Sequence, residues 1–169
     1  MKNLFFPLAC LLIAQLLPAQ SPKWVNYANA GAIRDILPTN EYVWISSQGG
    51  LERIDRTTGA RKIFQPSNSG LRGLGVSAVH PATNGDLWVS GNYGGLFRFD
   101  GEEDWEQFYT LNTGETLTNV EDLEITPEGN LWFIGNIEGS NAGYNLYQYD
   151  GVQFTEHMGV ISPVLGNNW

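Results

Sequence analysis

The sequence predicts an all-β chain of β-propeller blades: about three four-stranded blades with flanking strands, belonging to a larger ring. Three observations carry this. Trp44, Trp88 and Trp132 recur at an interval of 44 residues. Each interval holds four short strand-like segments separated by turn residues, and four strands in roughly 40–45 residues is the size of one blade. The chain is also rich in glycine (20) and in aromatics (Trp 6, Tyr 7, Phe 8), which favours turn-rich β structure over helices. A solenoid of helix pairs would need segments of ten or so residues with a 3.6-residue period, and none follows residue 20.

Residues 1–20 have the pattern of a secretory signal peptide. Lys2 supplies the positive start, Leu4 to Leu17 is apolar apart from Gln15, and Ala19 offers a small residue for cleavage. The run falls short of the roughly 20 apolar residues that span a bilayer, and Cys10 sits inside it, away from a lipidation site. Cleavage after Gln20 leaves 149 residues with a net charge of −10 and no cysteine. The expectation is an exported protein, periplasmic or on the cell surface, held by its core alone without disulfides or membrane insertion. The acidic surplus, 18 Asp and Glu against 9 Lys and Arg, excludes a nucleic-acid binder.

Residues 21–169 form the partial propeller. Trp24 to Tyr27 (24–27) has the character of an outermost strand lacking its first three. Blade repeats then occupy about 32–66, 76–110 and 120–157, and an incomplete tail covers 158–169. The innermost strands are Ile33–Ile36, Val76–Val79 and Val120–Leu123. The tryptophan strands follow, as in Leu131-Trp132-Phe133-Ile134, apolar on consecutive residues and so suited to burial on both faces. Third strands start at Gly50, Gly95 and Asn145 and end at Asp55, Asp100 and Asp150. After each Asp comes a turn and then an aromatic strand: Lys62–Phe64, Trp105–Phe108 and Val152–Phe154. Tryptophan fills space between blades, Gly50 and Gly95 serve tight turns, and the three Asp residues cap hairpin turns.

The pattern Gly/Asn-x-Leu-Trp, Gly-Gly-Leu, aromatic-x-Asp resembles the propeller repeats in the periplasmic regions of hybrid two-component regulators. It is carried by Gly49 to Asp55, Gly85 to Asp100 and Gly129 to Trp132. The first repeat lacks the glycine before its tryptophan, and the third inserts Ile137 to Tyr144 where Gly-Gly would stand. The resemblance implies a periplasmic sensing module whose ligands are glycans or oligosaccharides.

The repeat count does not close a ring. At 44 residues each, 149 residues make about 3.4 blades, whereas single-ring propellers have roughly 4–8. Trp169 lies too close behind Tyr149 to be a fourth core tryptophan. Two open faces would expose apolar patches that soluble monomers avoid. Three arrangements would cover them: continuation into a longer propeller chain, which is the expectation adopted, a homodimer ring of about seven blades, or an open arc with the tail across one face.

Catalytic chemistry is not expected. His80 and His157 are the only histidines, so no metal-ligand spacing exists, and neither a nucleophile elbow nor a phosphate loop occurs. Asp100 to Asp104 has the composition of a solvated hairpin tip. Of Glu121, Asp122 and Glu124, only the last two share a strand face. No metal or cofactor is implied. Loops gathered at one end offer Gln48, Arg72, Asn92, Tyr93, Asn136, Asn141 and Tyr144, and amides beside aromatic rings suit sugar recognition. The expected partner is an oligosaccharide. The alternative is an envelope or secretion protein held by a structural module, and a propeller-fold lyase or glycosidase stands behind both.

Overall fold

The computed structural model describes residues 31–139 and 143–157. The signal segment, the 24–27 strand, Asn141 and the 158–169 tail lie outside them. Every regular element among the described residues is a strand. β1 (Ile33–Pro38), β2 (Tyr42–Ser47), β3 (Gly50–Asp55) and β4 (Arg61–Phe64) form the first antiparallel sheet in chain order. The second is β5 (Val76–Pro81), β6 (Leu87–Gly91), β7 (Gly95–Phe99) and β8 (Trp105–Phe108). The third is β9 (Leu117–Ile125), β10 (Leu131–Ile137), β11 (Asn145–Tyr149) and β12 (Phe154–His157).

The sheets stack face to face, with β1 beside β5 and β5 beside β9 along one edge. Alternation along each strand decides what fills the two junctions. Trp44, Leu51 and Phe64 leave the first sheet to meet Leu87, Val89, Phe97 and Phe99 of the second. From the opposite face of the second sheet, Trp88 and Leu96 meet Leu131, Phe133 and Tyr147 of the third. The middle sheet is therefore covered twice, and β6 is buried at every residue. In β10 the pattern alternates strictly, buried then half-buried. Its sequence is as apolar on both sides as that of β6, but Trp132 and Ile134 have no sheet beyond them among the described residues.

Polar contacts repeat at the first junction. Arg53 lies over the Tyr42 ring at 4.5 Å and donates to the Gly101 carbonyl at 2.6 Å and to Glu102 at 2.5 Å. Ser46 Oγ donates to the Ser77 carbonyl at 3.0 Å. Charge is unevenly spread along the stack. Residues 31–64 hold five basic and four acidic side chains, whereas 117–157 hold seven carboxylates and neither Lys nor Arg.

Several strand boundaries depart from the sequence expectation: β1 and β5 run on to Pro38 and Pro81, β9 spans Leu117–Ile125 where the sequence predicts Val120–Leu123, and the bounds of β10 and β12 shift as well. β10 runs on to Ile137, because β9 begins early enough to pair Asn119 with Asn136 and Leu117 with Ile137. Asn136 is accordingly a strand residue. β12 begins at Phe154 and not at Val152, because Asp150 Oδ1 accepts the N–H groups of Val152 at 2.9 Å and Gln153 at 2.8 Å and holds both in the turn.

Asp55 and Asp100 make the same clasp in the other sheets. Asp55 Oδ1 accepts from Thr57 (2.9 Å) and Thr58 (2.7 Å), and Asp100 Oδ1 from Glu102, Glu103 and Asp104 (2.8–3.1 Å). These bonds favour the ionised carboxylates, chiefly those from Thr58, Glu102 and Gln153, so all three acids titrate below their usual range. A depressed native pKa contributes stability above the unfolded value of about 3.9 and loses it as pH falls through the native pKa. Thermal unfolding is thus expected to be insensitive to these groups from neutral pH to about 5, and Tm to fall steadily below about 4. Asp100→Asn lowers Tm at neutral pH and flattens the acid limb. An acid limb identical to that of the unaltered protein would remove the cap from the account.

Candidate functional site

The β2–β3 and β6–β7 turns, the β10–β11 connection and the links 65–75 and 109–116 all leave the same end of the stack. At the junction of the second and third sheets they are fastened together by backbone approaches. A Cβ on Gly73 would meet the Asn92 carbonyl oxygen at 2.1 Å, so only glycine permits the link to pass so close to the β6–β7 turn. The Asn92 N–H donates to the Gly75 carbonyl at 2.9 Å, and Asn92 Oδ1 accepts from Ser77 Oγ at 3.3 Å. Gln107 Nε2 ties down the Gly94 carbonyl at 2.8 Å.

This bracing holds Tyr93 outward. The residue is 84% exposed and sits at φ 62°, a left-handed conformation that a bulky side chain adopts only when its surroundings impose it. Asn119 supplies the constraint from the third sheet, its Oδ1 accepting the Tyr93 N–H at 2.9 Å. Nearby, the Arg72 guanidinium lies 5.6 Å from the centre of the exposed Tyr109 ring. Tyr144 donates its hydroxyl proton to Glu121 Oε1 at 2.7 Å. That bond, with partial burial, holds the Tyr144 phenol above its usual pKa, and Tyr93 is near enough to add to the shift.

The result is a surface of three outward tyrosines, one guanidinium and one carboxylate. Rings can stack on C–H faces, and Arg72 and Glu121 can donate to and accept from hydroxyls. Among the described residues, no three His, Cys, Asp or Glu side chains converge as a metal site would require.

The structure brings Arg72, Asn92, Tyr93 and Tyr144 to this junction. It gives Asn92 an internal role, since both its backbone and its side chain brace the turn. Asn136 lies behind the junction in β10, its carbonyl accepting from Thr118 Oγ1 at 3.1 Å. Gln48 is exposed on the β2–β3 turn of the first sheet and makes no hydrogen bond to this group among the described residues. The sequence pattern does not mark Tyr109 or Asn119 as site residues: one directly follows β8 and the other lies within β9. The sequence marks Glu121 as one of three carboxylates with Asp122 and Glu124, and not as part of this surface.

No family model matches the sequence, and no curated protein matches it. Solved structures do. Two are of the extracellular domain of BT4673 from B. thetaiotaomicron, described in one case as a one component system and in the other as a hybrid two component system. They are 19% and 18% identical to this chain over 73% of its length, each with a TM-score of 0.57. A third, the extracellular domain of BT3049 from the same organism, described as a hybrid two component system, is 19% identical over 73% of this chain with a TM-score of 0.55. The chain spans only 16% of the length of each of these solved chains. At such identity the likeness is one of fold: the three stacked antiparallel sheets are an arrangement this chain shares with the extracellular domains of bacterial signalling proteins.

Proposed function

We propose that this chain is a non-catalytic, exported β-propeller module of sensor type that binds an oligosaccharide at the junction of its second and third sheets. The observation that carries the reading is Tyr93, an exposed ring held at positive φ by a neighbouring sheet, with Tyr109, Tyr144, Arg72 and Glu121 around it. Ordinary turns have no need of such a residue, and strained backbone of this kind gathers at binding sites. The shared fold with extracellular domains of signalling proteins supports export and a sensing role, and the apolar start of the chain agrees with export. The radial order of a propeller follows if β1, β5 and β9 are innermost strands, as their adjacency suggests.

The test is calorimetric titration of a panel of oligosaccharides against the purified protein and against Tyr93→Gly. At least one sugar is expected to bind, and the substitution to weaken it about tenfold or more. Glycine relieves the backbone strain, so Tm should hold or rise while binding falls. A flat response across the panel, or binding unaltered by the substitution, would overturn the assignment.

A further inference from the structure

The face of the third sheet that no other described sheet covers has a chemistry that the closed junctions explain. At the first junction, Asp35 Oδ1 accepts the N–H of Ile36 at 2.7 Å. Its Oδ2 crosses to the next sheet and accepts the N–H of Val79 at 3.0 Å. Asp35 pairs with Ser46, two residues beyond Trp44, and Asp122 pairs with Ile134, two residues beyond Trp132. Asp122 repeats the local half of the device, its Oδ1 accepting the N–H of Leu123 at 2.9 Å. Among the described residues its Oδ2 receives no hydrogen bond. Trp132, Ile134 and Leu146 border a shallow cleft of about 170 Å³ beside it, with Glu124 at the rim.

The opposite end of the stack is the counterpart. Val43, Ile45, Ile54 and Ile63 are half-buried on the face of the first sheet that points away from the second, and Ile36 is 55% exposed at its edge. Phe97 and Tyr147 mark a position facing the preceding sheet, and there the first sheet carries Glu52, ion-paired with Arg61, whose side chain is 63% exposed. On that outward face the cation is Arg61, paired with Glu52, whereas the cleft face of the third sheet carries the carboxylates Asp122 and Glu124.

We infer that the third-sheet face around Trp132 and Asp122 receives the first-sheet face of a second copy of this chain, head to tail. Two such contacts close a dimer of six described sheets, within the roughly 4–8 that rings contain. The apolar halves supply the attraction, and the opposite charges fix which face meets which.

Sedimentation equilibrium of the purified chain tests it. A dimer is expected, with weaker association at about 0.5 M salt than at about 0.05 M. Trp132→Glu and Ile45→Glu should each yield monomers. Mixed in equal amounts they should re-form a dimer, since each variant keeps the face the other has lost. Misfolded variants could not do so, and Asp122→Asn, a milder change, should weaken the dimer without abolishing it. A wild-type monomer at every accessible concentration, or variants that dimerise alone, or no recovery on mixing folded variants, would overturn the inference.

Discussion

Trp88→Ala is expected to destabilise the protein by about 3–5 kcal/mol, the range for emptying a buried aromatic site. For a chain of this size that lowers Tm by on the order of 10 °C. Trp88 is 7% exposed and fills the second junction, 5.2 Å from the Phe108 ring and 5.9 Å from that of Tyr149. Atoms of both sheets line the space it occupies, so neither can collapse into it without leaving the other. Trp132 occupies the same place in its own sheet, but its ring is stacked on His157 at 4.8 Å and otherwise faces the open cleft. Trp132→Ala, measured under conditions where the chain is monomeric, should therefore cost less than half as much. Denaturant unfolding of the two variants makes the comparison. Equal losses would mean that the third face is covered within one chain, and the account of two junctions would fail.

The same contrast explains what the sequence could and could not disclose. An indole every 44 residues is legible because each sheet must fill the gap to its neighbour. The first two third-strand turns are legible because Gly50 and Gly95 stand at positive φ, where few other residues fit. The third repeat has Asn145 in that place and an insertion before it, so the sequence does not mark where β10 ends. Its position depends on pairing with β9, a partner one strand away that periodicity cannot register. Tyr93 and Tyr144 were recognisable as loop aromatics. Their convergence was not, because it is set by Asn119 and Glu121 reaching across a sheet boundary. In the sequence Asp122 shows only as sharing a strand face with Glu124, since its counterpart Asp35 reveals a role through a bond to another sheet.

Gly50→Ala should be the most damaging single-methyl change in the first sheet. At φ 124° an alanine is strained wherever it stands, at about 1–3 kcal/mol. Its Cβ would also fall 2.3 Å from the Phe64 carbonyl oxygen, which is backbone and cannot rotate away. Relief requires β4 to shift, and β4 carries Phe64, 2% exposed, with its ring 6.0 Å from Trp44 and 4.9 Å from Phe99. Overpacking of this kind adds a further cost of about 1–3 kcal/mol. Gly85→Ala carries the first contribution alone, because Gly85 also has positive φ (94°) but no atom within 4 Å of the added methyl. The first variant should lose clearly more Tm than the second, and amide exchange should quicken along β3 and β4 only in the first. Equal losses would reduce the role of Gly50 to its backbone angle alone and leave the close approach of β4 without energetic consequence.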